Sequence, residues 1–277
     1  MTSVKGQTFN IDPLGFIRVV DYMGSDDSIV EAARVSYSGG KTLRDSRGLL
    51  RYLIRHDHSS PLEFASIILH IKAPLFVARQ WYRHRTAKVN EISGRYVELS
   101  HGHYVPHALN LHSTTNKQGR SDQIPELESQ LLQEMSQVME NSAAVYHKML
   151  SAGVARELAR ISLPMGTQTE WYWKMDLRNL LHFLRLRLHH TAQEEITKYA
   201  ECIAEHIVKP WVPLIWEAFT DYQLKAVTFS PFAYKALKAH LKGEAISREQ
   251  SGMSKGEWSE FLDLLEAQGE LAPDKGL

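Results

Sequence analysis

The sequence has little of several things that define common classes of protein. Its 277 residues include one cysteine, Cys202, which excludes an intramolecular disulfide framework and is typical of a reducing compartment. No uninterrupted apolar run approaches the roughly 18 residues that a membrane span needs. The polar start MTSVKGQTFN lacks the apolar core of a signal peptide. We therefore expect a cytoplasmic protein that has no membrane partner.

Neither sign of charge is in excess, because 32 Lys and Arg residues balance 32 Asp and Glu residues. This balance argues against general binding of polyanions. No G-x-G-x-x-G motif occurs, so a Rossmann dinucleotide site has no support. The run SGGKT at 38–42 is similar to the end of a phosphate-binding P-loop, but Val35 stands where that loop needs a glycine.

Hydrophobic periodicity predicts a mixed α+β protein with a small sheet and several long helices. Strands are expected at 16–22, 65–72 and 167–174, and helices at 45–56, 74–85, 125–151, 155–163, 177–188 and 191–209. Two further helices are expected, one that follows the turn at 24–26 and ends near 39–40, and one that begins at Ser230 and ends at Gly243. The strands do not alternate with helices as a doubly wound sheet requires. The chain turns lysine-rich near its end, so we expect one domain over 1–225 and a helical C-terminal extension over 226–277. Ser254 and Glu257 form a predicted capping box in that extension.

Positive charge is concentrated in one segment, RHRTAKVNEISGRY, which begins at residue 83. Residues 79–95 contain five Lys or Arg, one His and a single acid, Glu91. Three readings compete: a nucleic-acid patch, a solvated face and a pocket for a phosphorylated ligand. Trp81, Tyr82 and Tyr96 would stack on bases in the first reading. The neutral net charge and the scatter of arginines over separate helices disfavour it, and we expect no nucleic-acid partner.

Two histidine pairs have a spacing that could hold a metal, His56 with His58 and His101 with His103. No cysteine or carboxylate cluster accompanies either pair, so we expect no metal site and keep a metal-dependent hydrolase as a minor alternative. Cys202 falls at helical spacing with neighbouring isoleucines, which predicts a small apolar helix position rather than a nucleophile.

One arginine occupies an unusual position. In the helix LRNLLHFLRLRL the core stripe is Leu177, Leu181, Leu184 and Leu188. Arg187 borders this stripe, where an unpaired guanidinium is costly. It needs an anion or strong acceptors, and its planar fork suits a phosphate or a pyrimidine edge. The alternatives are that it reaches solvent or pairs with a structural carboxylate.

The spacing of Arg83-His84-Arg85, seven residues and then Ser93 is the R-H-R-x7-S signature of flavin-dependent thymidylate synthases, and the sequence resembles that family. The resemblance continues in EAARVSYSGGK, RHDHSSPLEF, VARELARISLP and DLRNLLHFLRLRLHHTAQEEI, and covers roughly residues 13–222. The ordered set of matches is far more specific than the triplet alone.

The resemblance implies that dUMP is reductively methylated to dTMP. Methylenetetrahydrofolate supplies the carbon, and NADPH reduces a bound FAD that passes on the hydride. It also implies a homotetramer whose active sites are built from more than one subunit, with the flavin in a groove between chains. No covalent attachment to the enzyme is implied, which fits a chain with a single cysteine.

The resemblance also assigns residues by position. The dUMP-binding positions are Gln80, Arg83, Glu91, Ser93, Gly94, Arg95, Arg160 and Arg187. The FAD-binding positions are Ser60, Arg83, His84, Arg85, Glu91, Asp176, Arg178 and His182, and His58 matches a histidine close to flavin and folate. Arg187 matches the arginine expected to favour ionised N3 of the uracil, which makes it the predicted catalytic residue. Ser93 is expected to bind substrate rather than to act as a nucleophile.

Overall fold

The structure of the chain is a computed structural model that describes residues 3–35, 45–99, 102–113 and 119–269. Its strands are β1 (Thr8–Asn10), β2 (Phe16–Met23), β3 (Ser66–Pro74), β4 (Lys88–Glu91) and β5 (Gln168–Asp176). Its α-helices are α1 (Asp26–Arg34), α2 (Ser46–Arg55), α3 (Leu75–Trp81), α4 (Glu128–Ser151), α5 (Arg156–Ala159), α6 (Leu177–Arg187), α7 (Glu194–Cys202), α8 (Lys209–Trp211), α9 (Pro213–Phe219), α10 (Pro231–Leu241), α11 (Arg248–Ser251) and α12 (Lys255–Gly269). Short 3₁₀-helical segments run over Ser60–Phe64 and Arg160–Ser162, and π-helical segments over Ile203–Val208 and Thr220–Leu224.

The strands form one antiparallel sheet in the order β1-β2-β3-β5-β4. Along β3, half-buried side chains alternate with the buried Ile67, Leu69 and Ile71, as the two-residue period of a strand requires. β4 is an edge strand whose four residues are all exposed. It lies within the basic segment, so the sheet places that segment at the rim of the core. The expected α+β class with a small sheet is confirmed.

Trp81, at the end of α3, is completely buried at the centre of an aromatic cluster. Its ring centroid lies 5.4 Å from those of Trp171 and Trp173, 4.8 Å from Phe183 and 5.8 Å from Tyr199. Aromatic pairs at such distances add to the free energy gained from burial alone. The cluster joins α3 to β5, α6 and α7, and it anchors the residues on either side of Trp81.

The chain divides into two compact units, Met1–Leu224 and Lys225–Leu277. The second unit has its own apolar cluster, formed by Ala233, Ala236, Met253 and Phe261. The predicted capping box is confirmed there. The backbone N–H of Ser254 donates to the Glu257 carboxylate (2.8 Å), and the backbone N–H of Glu257 donates to the Ser254 hydroxyl (3.3 Å).

Several predicted boundaries were wrong. The helix expected over 74–85 ends at Trp81, because the chain must reverse there to reach the sheet edge. The N–H groups of Arg83 and His84 bond back to the carbonyls of Gln80 and Trp81 and make that turn. The helix expected over 155–163 is α5 followed by a 3₁₀ turn. The helix expected over 191–209 begins at Glu194 and becomes π-helical, just before Pro210 removes one backbone donor.

β1, β4, α8, α9 and α11 were not predicted. They are short, and β4 offers no alternation of buried and exposed positions that a sequence pattern could reveal. The run SGGKT at 38–42 and His101 lie outside the described residues. No described helix is long and apolar enough to cross a membrane.

Candidate active site

Arg187 lies at the end of α6 and reaches across to the turn that follows α3. Its Nε donates to Nε2 of His84 (3.1 Å), and its Nη2 donates to the carbonyl oxygen of Gln80 (3.3 Å). The Gln80 side chain donates in turn to Gln193. The structure therefore brings together three residues that the sequence assigned to different ligands, in contact with the buried Trp81 cluster.

This part of the site is electrostatically unusual. Arg187 is half-buried and forms no ion pair with any described residue, and burial lowers the pKa of its guanidinium. Burial, then the charge of Arg187 and the neighbouring His182, lower the pKa of His84 to about 4. His84 is thus neutral near pH 7, as its role as an acceptor requires. Neither alternative considered for Arg187, full solvation or a structural carboxylate, is what the structure shows.

A second group forms around the turn at Ser93, Gly94 and Arg95. The N–H groups of Tyr96 and Val97 both donate to the Ser93 carbonyl (3.0 and 3.2 Å), and the Arg95 N–H donates to the Ser93 hydroxyl (3.3 Å). That hydroxyl has no histidine partner among the described contacts, in keeping with the prediction that Ser93 is not a nucleophile.

Gly94 is buried against the side chain of Arg160. A Cβ built on Gly94 would lie 2.7 Å from Leu99 Cδ1 and 3.3 Å from Arg160 Cδ. Arg95 forms an ion pair with Glu157 (3.3 Å), one helical turn before Arg160. Arg160 therefore lies beside the turn, and the Arg95–Glu157 ion pair joins the two segments although they are far apart in sequence.

Glu91, the single acid of the basic segment, is held by the sheet. The Thr169 hydroxyl donates to its carboxylate (2.6 Å), and the N–H of the next residue, Ile92, donates to the Glu170 carbonyl (2.9 Å). Burial and the Glu91 carboxylate raise the pKa of Tyr82. The carboxylate therefore lies near Thr169 and Tyr82, the residue before Arg83.

A third group surrounds the start of α6. Asp176 caps this helix as predicted. One of its oxygens accepts from the backbone N–H of Asn179 (2.9 Å) and the other from the Asn179 side-chain amide (2.7 Å), so both oxygens have a structural contact. Arg178 forms an exposed ion pair with Glu63 (3.1 Å) in the segment that begins at Ser60. These contacts place the predicted residues Ser60, Asp176 and Arg178 at one corner of the domain.

His58 lies at this corner after an irregular turn. Asp57 adopts the left-handed conformation (φ 55°), and the N–H groups of Asp57 and His58 donate to the carbonyls of Ile54 and Leu53 (3.3 and 2.9 Å). This is the Schellman ending of a helix, here with aspartate instead of the usual glycine. His58 is exposed beside Tyr52, with ring centroids 5.4 Å apart.

The arginines of the chain fall into two kinds. Arg47, Arg51 and Arg120 pair with carboxylates of distant helices. In contrast, the predicted ligand-binding residues Arg83, Arg85, Arg160 and Arg187 form no ion pair within the described parts of the chain. A neutral protein that leaves these four cations without carboxylates is suited to binding an anionic ligand there.

The predicted residues fall into separate groups in the part of the chain that the structure describes. In the described residues, no hydrogen bond or ion pair joins the group of Gln80, His84 and Arg187 to the group of Ser93, Gly94, Arg95 and Arg160. His182 is exposed, and its ring lies 6.3 Å from that of His84. Burial and two nearby arginines lower its pKa.

Four partners of site residues were missed by the sequence analysis: Glu63, Glu157, Thr169 and Gln193. Glu63, Glu157 and Gln193 lie in segments quoted for the family resemblance, which was the one available signal for them. Thr169 lies outside those segments, and its partner Glu91 is 78 residues away along the chain.

No group of three or more metal-ligating side chains occurs among the residues that the structure describes. Cys202 packs against the core, as predicted from its helical spacing. Burial raises the pKa of its thiol to about 11, so very little thiolate is available at neutral pH.

Solved structures share this fold. The UMP/dUMP methylase PolB from Streptomyces cacaoi bound with 5-Br UMP has a TM-score of 0.69 and 34% sequence identity, covering 76% of this chain and 95% of that chain. The same methylase bound with 5-Br dUMP has a TM-score of 0.68 and 32% identity, covering 79% of this chain and 97% of that chain. The architecture is thus similar to that of enzymes that methylate a uracil nucleotide.

Residues 18–214 match the sequence profile of the family described as "Thymidylate synthase complementing protein". A flavin-dependent thymidylate synthase of Ehrlichia ruminantium (strain Gardel) is 48% identical over 257 residues, spanning 91% of this chain and 86% of the relative. Another, of Rickettsia prowazekii (strain Madrid E), is 46% identical over 275 residues and covers 93% of each chain. The chain belongs to the family of flavin-dependent thymidylate synthases, as the resemblance implied.

Proposed function

We propose that the protein methylates dUMP to dTMP, with methylenetetrahydrofolate as carbon donor, NADPH as reductant and FAD as bound cofactor. Family membership supports this proposal, and Arg187 is the single observation that carries it. The guanidinium of Arg187 is half-buried and its two hydrogen-bond acceptors are uncharged, so it is suited to binding an anionic ligand. Beside a uracil it stabilises the ionised N3, and the ring then has more electron density at C5 for attack on the methylene carbon.

The nucleotide's phosphate is assigned to the Ser93 turn. Arg95 and Arg160 supply charge there, and the close packing of Gly94 on Arg160 leaves no side chain in the way. Backbone N–H groups of such a turn together with arginines form a phosphate cradle. Gln80, Arg83 and Glu91 complete the proposed dUMP set.

The FAD is assigned to Ser60, Arg83, His84, Arg85, Glu91, Asp176, Arg178 and His182, with His58 close to flavin and folate. The donor chemistry of this set fits the cofactor, because Arg83 and Arg85 are exposed and carry no ion pair with a described residue, and FAD brings a diphosphate. When bound, FAD supplies the hydride. Glu63 already takes one donor of Arg178, so Arg83 and Arg85 are the stronger diphosphate ligands.

The chemistry proceeds without a thiol nucleophile. Cys202 is the one cysteine of the sequence, and its raised pKa leaves it protonated at neutral pH. Activation of the pyrimidine therefore falls to Arg187 rather than to a covalent bond. A cytoplasmic location is proposed on the same ground as before, the near absence of cysteine.

A homotetramer with shared active sites is part of the proposal. No hydrogen bond or ion pair among the described residues joins the two groups of dUMP residues, which supports a pocket that a second copy completes. α4 also carries an exposed apolar stripe, Leu131, Met135, Val138 and Val145, with Val138 59% and Val145 45% exposed. The spacing of four, three and seven residues is that of a helix seam that packs on another helix.

An absorbance spectrum of the purified protein tests the proposed function. We expect the bands of an oxidised flavin, which shift when dUMP is added and bleach with NADPH. UMP serves as a comparison, since the similar methylase PolB is described for UMP and dUMP. Protein that folds, assembles and shows no affinity for added FAD would refute the proposal.

A further inference from the structure

Arg187 is oriented by two acceptors that occupy one side of its guanidinium. Nε donates to Nε2 of His84 and Nη2 to the carbonyl oxygen of Gln80, at 3.1 and 3.3 Å. Of the five N–H groups of an arginine, three remain, two on Nη1 and one on Nη2. Two of these, one on Nη1 and one on Nη2, point in parallel from the far end of the guanidinium and suit adjacent acceptors on a planar ligand.

His84 accepts this hydrogen bond only while Nε2 carries no proton. Its ring is fixed by an edge contact with Phe183, with centroids 4.9 Å apart, and its backbone N–H is bound to the Trp81 carbonyl at 3.0 Å. The ionisable groups that face the ring are Arg187 and His182, and neither can supply a negative charge. Burial among them keeps the pKa of His84 near 4, so the neutral tautomer with its proton on Nδ1 dominates at neutral pH.

We propose that His84 is a positioning residue for the nucleotide: by accepting from Nε, it turns the free end of the Arg187 guanidinium toward the pyrimidine. This inference rests on the proposed function and adds to it. His84 was assigned above to FAD alone, whereas its Nε2 is already engaged by Arg187. One imidazole therefore connects the flavin side of the pocket to the uracil side.

Three variants separate the positioning role from packing and from flavin binding. His84→Phe keeps a ring against Phe183 and removes the acceptor. His84→Gln restores an acceptor at about the place of Nε2, whereas His84→Asn places its amide at Nδ1, out of reach of Arg187. The exposed His240, in the C-terminal unit, provides the control His240→Phe.

Affinity for dUMP is measured by calorimetry on the flavin-loaded, full-length protein, and the FAD content of every variant is read from its absorbance. We expect His84→Phe and His84→Asn to weaken dUMP binding about tenfold or more, the effect of losing one hydrogen bond to a charged group. His84→Gln should recover most of that loss, and His240→Phe should match the parent protein.

A double-mutant cycle shows whether His84 acts through Arg187. In an Arg187→Ala background, His84→Phe should cause no further loss of dUMP affinity. Additive losses, or equal losses in His84→Phe and His84→Gln, would overturn the positioning role. If the parent protein binds FAD and dUMP but His84→Phe binds dUMP normally, this inference alone fails; if the parent binds neither, the proposed function fails with it.

Discussion

Trp81 and Trp173 meet edge to face, with ring centroids 5.4 Å apart and planes at 89°. The contact fastens the end of α3 to the middle of β5, and the chain leaves it directly into the turn that carries Arg83 and His84. The buried tryptophan pair therefore positions the turn that carries the proposed site residues.

Truncation of this anchor should cost stability. We expect Trp81→Ala to lower the free energy of unfolding by about 3–5 kcal/mol, the range for large aromatic residues removed from a core. Tyr96→Ala is the matched control, because Tyr96 is 77% exposed and a surface change of this kind stays within about 0.5 kcal/mol. Urea denaturation gives both values; similar losses for the two variants would contradict the role assigned to Trp81.

Gly94→Ala should damage the proposed phosphate site. The added Cβ would meet Leu99 at 2.7 Å and Arg160 at 3.3 Å, so the turn or Arg160 must move, at a cost of about 1–3 kcal/mol. We expect a loss of dUMP affinity of about tenfold or more, measured by calorimetry. Gly256→Ala, where nothing lies within 4 Å of the new Cβ, should bind dUMP normally.

Lowering the pH should reduce the free energy of unfolding, because His84 takes up a proton more readily in the unfolded chain. Its pKa is about 4 in the folded protein and 6.5 when unperturbed, so between these values the unfolded chain binds a proton that the folded chain does not. Stability therefore falls as the pH drops from about 6.5 toward 4 and is unaffected by this group above that window. The loss is at most about 3 kcal/mol, and solvent screening of a half-buried group reduces it.

Denaturation of the parent protein and His84→Phe between pH 7.5 and 4.5 checks this window. The parent should lose more stability than the variant over that range, whereas His240→Phe should follow the parent. His70 and His182 also have lowered pKa values, so some acid sensitivity will persist in His84→Phe. Identical slopes for the parent and His84→Phe would show that His84 does not titrate as described.

The apolar stripe of α4 predicts how copies of the chain associate. Val138→Asp places a charge in the stripe and should reduce the assembly to smaller species in sedimentation velocity, with loss of bound flavin if sites are shared. Gln137→Asp, one position away and exposed, should leave the assembly intact. An unchanged assembly in Val138→Asp would exclude the stripe as an interface.

Part of this architecture was predictable because it depends on local signals. Asp176 caps α6 as its position before the leucine-rich run indicated, and Leu177, Leu181 and Leu184 are buried as their helical spacing required. The pairing of Glu91 with Thr169 was not predictable. It joins residues 78 positions apart, and nothing in either local sequence specifies the other.

Arg187 shows the limit most clearly. Its spacing on α6 indicated that it borders the core and needs an acceptor, but not that the acceptor is a neutral histidine from the R-H-R triplet. That pairing depends on where the sheet and the Trp81 cluster place two segments 103 residues apart. The family resemblance indicated which residues belong to the predicted site, and the structure shows which of them are in contact with one another.

Formation of dTMP is the most direct test of the central claim. The protein is incubated with dUMP, methylenetetrahydrofolate, NADPH and FAD, and the products are separated by chromatography. We expect dTMP from the parent protein and from Arg185→Ala, a control at an exposed position on the same helix. In Arg187→Ala the rate of dTMP formation should fall about a hundredfold or more, as it does when one preorganised charge is removed from an active site. Folded Arg187→Ala that forms dTMP at the parent rate, or a flavin-loaded parent that forms none, would contradict the account.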